Sequence, residues 1–368
     1  MFLKKSSAAF LAFSAVFTSA ALQRVHAQAP NLVHTSSYSK YMGNKQWKFN
    51  IYLPPGYSTG PAQRYPVIYF LHGAGADENQ FTYYATTFIH SYIQQKKVPE
   101  VIVVFPSGGG QTWFLDNGVF ASYAMDPDSY IIKELIPHID STYRTIADRG
   151  SRVISGMSMG GYGAWHFSFK YPELFCYGGE FAGGGPYVAN LVVQNYSPAE
   201  DPHKLAVSNA AILSAQMKVY VCVGGNDGLT AFNQEMVNIC KAQKIPNVYT
   251  VVPNIGHDFA GLMQNNGLQA VQYVTQGFAP VSIADRRAST AAGGDAATIS
   301  LQGRTLRIDS PDALPLTIGL FSLSGRMAAS YQTSERIAKL DLSHFVRGAY
   351  RVRLKSASGI TEKKIFLD

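Results

Sequence analysis

The run Gly156-Met157-Ser158-Met159-Gly160-Gly161 sets a serine between glycines where two unlike segments meet. Before it lies the apolar stretch Ser151-Arg152-Val153-Ile154-Ser155, and after it the helix-like Tyr162-Gly163-Ala164-Trp165-His166-Phe167. Strand, sharp turn, helix is the order of a nucleophile elbow, whose strained turn leaves no room for side chains beside the serine. In a chain with 33 glycines a bare G-x-S-x-G is weak evidence, so its partners must carry the reading.

A serine hydroxyl needs a base, and the base needs an orienting carboxylate, each presented at a strand end. The apolar run Val219-Tyr220-Val221-Cys222-Val223 reads as a buried parallel strand and ends in Gly224-Gly225-Asn226-Asp227-Gly228. A second strand, Val248-Tyr249-Thr250-Val251-Val252, is followed by Pro253-Asn254-Ile255-Gly256-His257-Asp258. Upstream, Pro66-Val67-Ile68-Tyr69-Phe70-Leu71 is a third, and it leads into His72-Gly73-Ala74-Gly75. Parallel strands put Ser158, Asp227, His257 and Ala74 on one edge of a sheet. There His257 is expected to take the Ser158 proton while Asp227 holds the imidazole tautomer. The backbone N–H groups of Met159 and Ala74 are the expected oxyanion donors.

Plainer readings exist for each residue. Asp227 within Asn-Asp-Gly could be a turn residue, and His257 before a helix could serve as a cap. His72 is expected to brace its loop by hydrogen bonds rather than to act in catalysis. The order Ser, Asp, His at three strand ends favours the triad.

These segments resemble the esterase D-like branch of the α/β-hydrolases. That branch includes feruloyl and acetyl xylan esterases of carbohydrate esterase family one, S-formylglutathione hydrolases and secreted mycolyltransferases. The resemblance rests on Asn50-Ile51-Tyr52-Leu53-Pro54-Pro55-Gly56-Tyr57, Phe70-Leu71-His72-Gly73-Ala74-Gly75, the serine motif, Gly225-Asn226-Asp227 and Gly256-His257-Asp258-Phe259, and spans roughly residues 33–280. It implies Ser158, Asp227 and His257 as the triad, with Met159 and Ala74 at the oxyanion hole. It also implies that Trp113 and Asp116, in Gln111-Thr112-Trp113-Phe114-Leu115-Asp116, line the substrate cleft. Two departures bear on the substrate: Phe259 stands where the family often has Trp, and Gly179-Glu180-Phe181-Ala182-Gly183-Gly184-Gly185 lacks the usual Ser-Gly pattern.

The N-terminus joins a basic Met1-Phe2-Leu3-Lys4-Lys5 to an apolar run and a Val25-His26-Ala27 site, the pattern of a secretory signal peptide over residues 1–27. Its loss removes Lys4, Lys5 and Arg24 and lowers the formal charge from +7 to +4. Without a block of basic residues, that excess does not predict nucleic-acid binding. No run is long and apolar enough to predict a transmembrane helix. Three cysteines, Cys176, Cys222 and Cys240, leave at least one thiol unpaired. No C-x-x-C or H-E-x-x-H spacing occurs, so neither a metal nor a cofactor is expected.

The expected architecture is a doubly wound, mostly parallel α/β-hydrolase sheet over residues 28–280, with strands alternating with helices such as Ser129 to Tyr143. Residues 281–297, which include Thr290-Ala291-Ala292-Gly293-Gly294, read as a linker of small and polar residues. Residues 298–368 carry short alternating segments, among them Leu316-Thr317-Ile318-Gly319-Leu320-Phe321 and Ala349-Tyr350-Arg351-Val352-Arg353-Leu354, and predict a small all-β sandwich. This last stretch resembles C-terminal sorting domains of type IX secretion, which implies passage through the periplasm of a Gram-negative bacterium to the cell surface or beyond. A carbohydrate-binding sandwich is the competing reading, weakened because no Trp follows Trp165 to serve as a stacking platform.

The functional expectation is an exported serine esterase acting on esterified plant polysaccharide, with feruloyl groups first and acetyl groups second. S-formylglutathione hydrolysis fits the same resemblance, but its substrate is cytosolic whereas this chain reads as exported. A non-catalytic carbohydrate-binding protein on a hydrolase scaffold would not need Ser158, Asp227 and His257 together.

Overall fold

The computed structural model describes residues 31–116, 125–184, 198–276, 278, 281–282, 298–310, 316–322, 327–346, 348–356 and 359–367. The expected signal peptide and nearly all of the expected linker lie outside them.

Eight strands form one sheet: β1 (Asn31–Ser39), β2 (Lys45–Leu53), β3 (Val67–Leu71), β4 (Ile102–Pro106), β5 (Arg152–Met157), β6 (Tyr177–Phe181), β7 (Lys218–Gly224) and β8 (Asn247–Val252). Their spatial order is β1-β2-β4-β3-β5-β6-β7-β8. The pairs β1·β2 and β2·β4 are antiparallel, and all the others are parallel. This is the doubly wound α/β-hydrolase sheet. The chain steps from β3 outward to β4 and returns past β3 to β5, so the switch point falls between β3 and β5. Crevices at the carboxyl edge of such a point are where ligands bind in open α/β sheets.

Strand β3 shows why the central strands read as unbroken apolar runs. Val67, Tyr69 and Leu71 belong to one core cluster and Ile68 and Phe70 to a second, because both faces of the sheet are covered. Two helices, α1 (Met159–Lys170) and α2 (Thr230–Ala242), send Trp165, Phe167, Met236 and Val237 into the first cluster. Helix α3 (Phe259–Val274) sends Phe259, Leu262, Met263 and Val271 into the second. Burial is nearly complete around α1 from Met159 to Phe169, so this helix shows no amphipathic stripe. The helix expected over Ser129 to Tyr143 is built of three consecutive segments, Pro127–Tyr130, Ile131–Leu135 and Ile136–Thr142, the middle one π-helical.

The C-terminal region forms two antiparallel sheets. One has the order β9 (Thr298–Gln302), β10 (Thr305–Asp309), β13 (Ile337–Asp341). The other has the order β12 (Met327–Thr333), β11 (Leu316–Ser322), β14 (Gly348–Ser356), β15 (Gly359–Leu367). Ile299, Leu306 and Ile308 of the first share a hydrophobic cluster with Ile318, Leu320, Val352 and Leu354 of the second, as facing sheets do. Composition places the start of the linker at residue 281, but Val281 and Ser282 pair with Arg64 and Gln63 in a short antiparallel ladder. Backbone pairing thus keeps both residues attached to the α/β unit. No helix among the described residues is long and apolar enough to cross a membrane.

Candidate active site

Ser158 follows β5 directly, with φ 59° and ψ −120°, a region that residues with a Cβ rarely occupy. The glycines around it are demanded by close approach. A Cβ on Gly156 would run into the Gly160 backbone, and one on Gly160 would lie 2.8 Å from His72 O and closer still to Leu71 O. The elbow therefore sits against the end of β3. Its strained backbone is held at both ends: Ser158 N–H donates to Phe181 O at 3.0 Å, and Ser158 O accepts from Gly184 N–H at 2.8 Å.

Asp227 lies in the loop after β7 and is buried, with its side chain 1% exposed. Oδ1 accepts from Leu229 N–H at 2.9 Å, and Oδ2 accepts from His257 Nδ1–H at 2.8 Å. That bond assigns the proton to Nδ1, and Nε2 of the 42% exposed imidazole has no partner among the described residues. The two loops are stitched together, Gly225 N–H to Val252 O at 2.8 Å and Asn226 N–H to Ile255 O at 2.9 Å. Phe259 anchors the histidine loop from the other side. Its ring packs 4.8 Å from Phe81, 5.2 Å from Phe181 and 5.3 Å from Phe70. Phe259 is thus a buried core residue. Asp258 caps α3 by accepting from Ala260 N–H at 3.0 Å.

In the loop after β3, Gly73 N–H donates to Gln80, Gly75 N–H to Gly110 and Ala76 N–H to Gly73. Ala74 N–H has no acceptor among the described residues. The same holds for Met159 N–H in the first turn of α1, where the helix dipole favours negative charge. His72 braces this loop: Nδ1–H donates to Gly73 O at 2.8 Å and Nε2 accepts from Gly108 N–H at 2.8 Å. Both ring nitrogens are engaged, and burial pushes its pKa below the ordinary histidine value.

Trp113 and Asp116 occupy different settings. Trp113, at φ 55°, is buried edge-on to Tyr162 with ring centroids 5.6 Å apart, and its indole N–H lacks a partner among the described residues. A Cβ on Gly184 would meet its ring at 2.7 Å, so it lies close to the backbone that holds Ser158. Asp116 instead accepts from Ser129 N–H at 3.0 Å and Ser129 Oγ–H at 2.5 Å, tying down the start of the helical stretch that begins at Pro127.

Three side chains within metal-ligand range of one another are Asp128, His166 and Glu200. The Lys170 ammonium already lies between the two carboxylates, 2.8 Å from Asp128 and 2.5 Å from Glu200, and supplies the positive charge a metal ion would bring. Cys176, Cys222 and Cys240 are all buried free thiols, and burial pushes their pKa values up to about 11, 12 and 12. Sequence reasoning missed Glu180, a 1% exposed carboxyl group on β6. The one available signal was an acid inside Tyr177-Gly178-Gly179-Glu180-Phe181, a stretch with too few β-formers to read as a strand.

The sequence pattern of the Esterase family matches residues 39–266, which contain Ser158, Asp227 and His257. The chain belongs to this esterase family. The esterase stands thereby among the carboxylic-ester hydrolases. Over 202 residues it is 30% identical to an endo-1,4-beta-xylanase/feruloyl esterase of Xylanibacter ruminicola, a match covering 51% of this chain and 27% of that protein. It is 32% identical over 122 residues to esterase Rv1288 of Mycobacterium tuberculosis, covering 33% and 26%. The esterase thus spans about a quarter of the length of these curated relatives. A solved ferulic acid esterase shares its fold at a TM-score of 0.59 and 23% identity, covering 67% of this chain and 98% of that one. S-formylglutathione hydrolase (FrmB) of Staphylococcus aureus shares it at 0.55 and 18%, covering 68% and 100%.

Proposed function

We propose that this esterase is a secreted serine hydrolase of carboxylic esters on plant polysaccharide, with feruloyl esters as its first substrate class. The observation that carries the reading is the 2.8 Å bond from His257 Nδ1 to buried Asp227, made at the sheet edge where strained Ser158 follows β5. In this mechanism Ser158 Oγ attacks the ester carbonyl carbon as its proton passes to His257 Nε2. The carbonyl oxygen becomes an oxyanion facing the unengaged N–H groups of Met159 and Ala74. Collapse expels the alcohol, which takes the proton from Nε2 and leaves an acyl-Ser158. Water attacks that ester with the same histidine as base, releasing the acid and restoring Ser158.

The feruloyl assignment is supported by the Xylanibacter relative, whose name couples feruloyl esterase to xylanase. Acetyl xylan esters are the second class. The C-terminal sheets are proposed as a sorting or attachment module that engages the secretion machinery, with sugar binding as the alternative. A serine-reactive fluorophosphonate probe tests the mechanism: it should label the wild type and not Ser158→Ala. Failure to label the folded wild type overturns the covalent reading. A panel of methyl ferulate, acetylated xylan and p-nitrophenyl acetate tests the substrate, and faster turnover of acetylated xylan than of methyl ferulate would reverse the order of the two classes.

A further inference from the structure

We infer that Glu180 is a positioning residue for Ser158: its carboxyl group fixes the turn Ala182–Gly184, and that turn holds the nucleophile's backbone in its strained conformation. The inference rests on the proposed role of Ser158 as nucleophile. Glu180 Oε2 accepts from Gly183 N–H at 2.5 Å, and Asn233 Nδ2–H donates to Gly183 O at 3.2 Å, so this glycine is gripped through both its N–H and its carbonyl. On either side of Gly183 the chain reaches Ser158: Phe181 O accepts the Ser158 N–H, and Gly184 N–H donates to the Ser158 carbonyl. Between these two contacts Ala182 takes φ 46°, a left-handed conformation that a residue with a Cβ leaves unless it is held. Helix α1 leaves space for the arrangement. A Cβ on Gly161 would lie 2.7 Å from Gly183 Cα and 3.0 Å from Glu180 Oε2.

The chemistry of the group fits a hydrogen-bond role rather than a charge. Oε1 is buried with no partner among the described residues, and no cation forms an ion pair with Glu180 there. Its electrostatic neighbours are Asp227, Cys222, Cys240 and Tyr249, acids or neutral groups on the surrounding elements. Burial, with the Asp227 carboxylate adding to it, pushes the Glu180 pKa well above the usual carboxylate range. A buried acid whose second oxygen lacks a partner among the described residues is a costly way to fill a core. Here it supplies the acceptor for an amide that would otherwise be orphaned directly beside the nucleophile.

The test compares Glu180→Gln, which keeps a neutral acceptor, with Glu180→Met, which keeps the bulk and loses it. Both are made in the full chain and checked for cooperative unfolding. Readouts are the second-order rate of fluorophosphonate labelling, and kcat and KM for p-nitrophenyl acetate. The Gln variant should stay within about threefold of wild type, because a side-chain acceptor for Gly183 N–H is kept. The Met variant should lose on the order of 10- to 100-fold in labelling rate and kcat, with KM moving by less than about twofold, as sub-ångström misplacement of a nucleophile does. A folded Met variant labelled at the wild-type rate overturns the inference. So does a Gln variant as impaired as Met, which would assign the role to charge. If Met does not fold, Gln decides by itself: near-wild-type labelling upholds the acceptor role, and a loss beyond about tenfold ends it. Labelling of the wild type and its absence in Ser158→Ala check the nucleophile reading separately.

Discussion

Histidine placement separates two residues that composition alone treats alike. His72 spends both ring nitrogens on backbone partners, Gly73 O and Gly108 N–H, and has no lone pair left to accept a proton. Among the described residues His257 engages only Nδ1, on Asp227, and Nε2 has no partner. The carboxylate is thus what sets the proposed base apart from the brace. Asp227→Asn should lower kcat by as much as about 10⁴-fold, because an amide can donate to Nδ1 and stabilise the wrong tautomer. Thermal unfolding should change little, since the Oδ1 bond to Leu229 N–H survives in the amide. Steady-state kinetics on p-nitrophenyl acetate beside a melting curve would check this, and a kcat within about tenfold of wild type would remove Asp227 from the mechanism.

At the scale of elements, the serine turn is a packing problem before it is a chemical one. Helix α1 meets the end of β3 with Gly160 against Leu71 O and His72 O, and backbone cannot yield as a side-chain tip can. Gly160→Ala should therefore cost more than about 3 kcal/mol or prevent folding, the upper end of overpacking costs. Urea unfolding of that variant is the check, with Gly228→Ala as control because no atom of the described residues lies within 4 Å of a Cβ there.

The far end of α1 is tied differently. His166 and Lys170 both reach Asp128, at 2.9 and 2.8 Å, and Tyr171 OH donates to its other oxygen at 2.7 Å. Burial alone would raise the Asp128 pKa, but the His166 and Lys170 bonds and charges outweigh it and hold it at about 2. A carboxyl group depressed on folding adds stability above its unfolded value of about 3.9, and that stability is lost as pH falls through the folded value. Wild type should lose roughly 2 kcal/mol more than Asp128→Asn between about pH 5 and pH 2, measured by denaturant titration at each pH.

For the whole molecule, the hydrophobic clusters divide cleanly by sequence. The two that sandwich the main sheet end at Phe278, and the third begins at Ile299. Residues 28–290 should accordingly fold without the rest and hydrolyse small soluble esters with kcat/KM within about threefold of the full chain. Residues 298–368 contain none of Ser158, Asp227 or His257 and should show no activity. In the native host, removal of 298–368 should strand active enzyme in the periplasm if these sheets sort the protein. Normal export with lost binding to insoluble plant fibre would assign them to sugar recognition instead.

The tight turn at Ser158 and the strand ends that carry Asp227 and His257 were legible in the sequence because each signal is local. Glycines mark the tight turn, and short apolar runs mark strands buried on both faces. The division into an α/β unit and an all-β unit was legible for the same reason, since a change of hydrophobic period is a local property. Strand β6 was not legible, because two glycines and an acid hide an element that only its neighbours β5 and β7 make a strand. Pairing of Val281–Ser282 with Gln63–Arg64, distant in the chain, left no local trace either. The setting of Glu180 was decided in the same way. Its raised pKa comes from burial beside Asp227, and its reach to Ser158 runs through hydrogen bonds between separate loops. Sequence alone determined which residue types could perform the chemistry, and tertiary structure decided what holds them in place, because pKa and backbone strain depend on neighbours that only folding brings together.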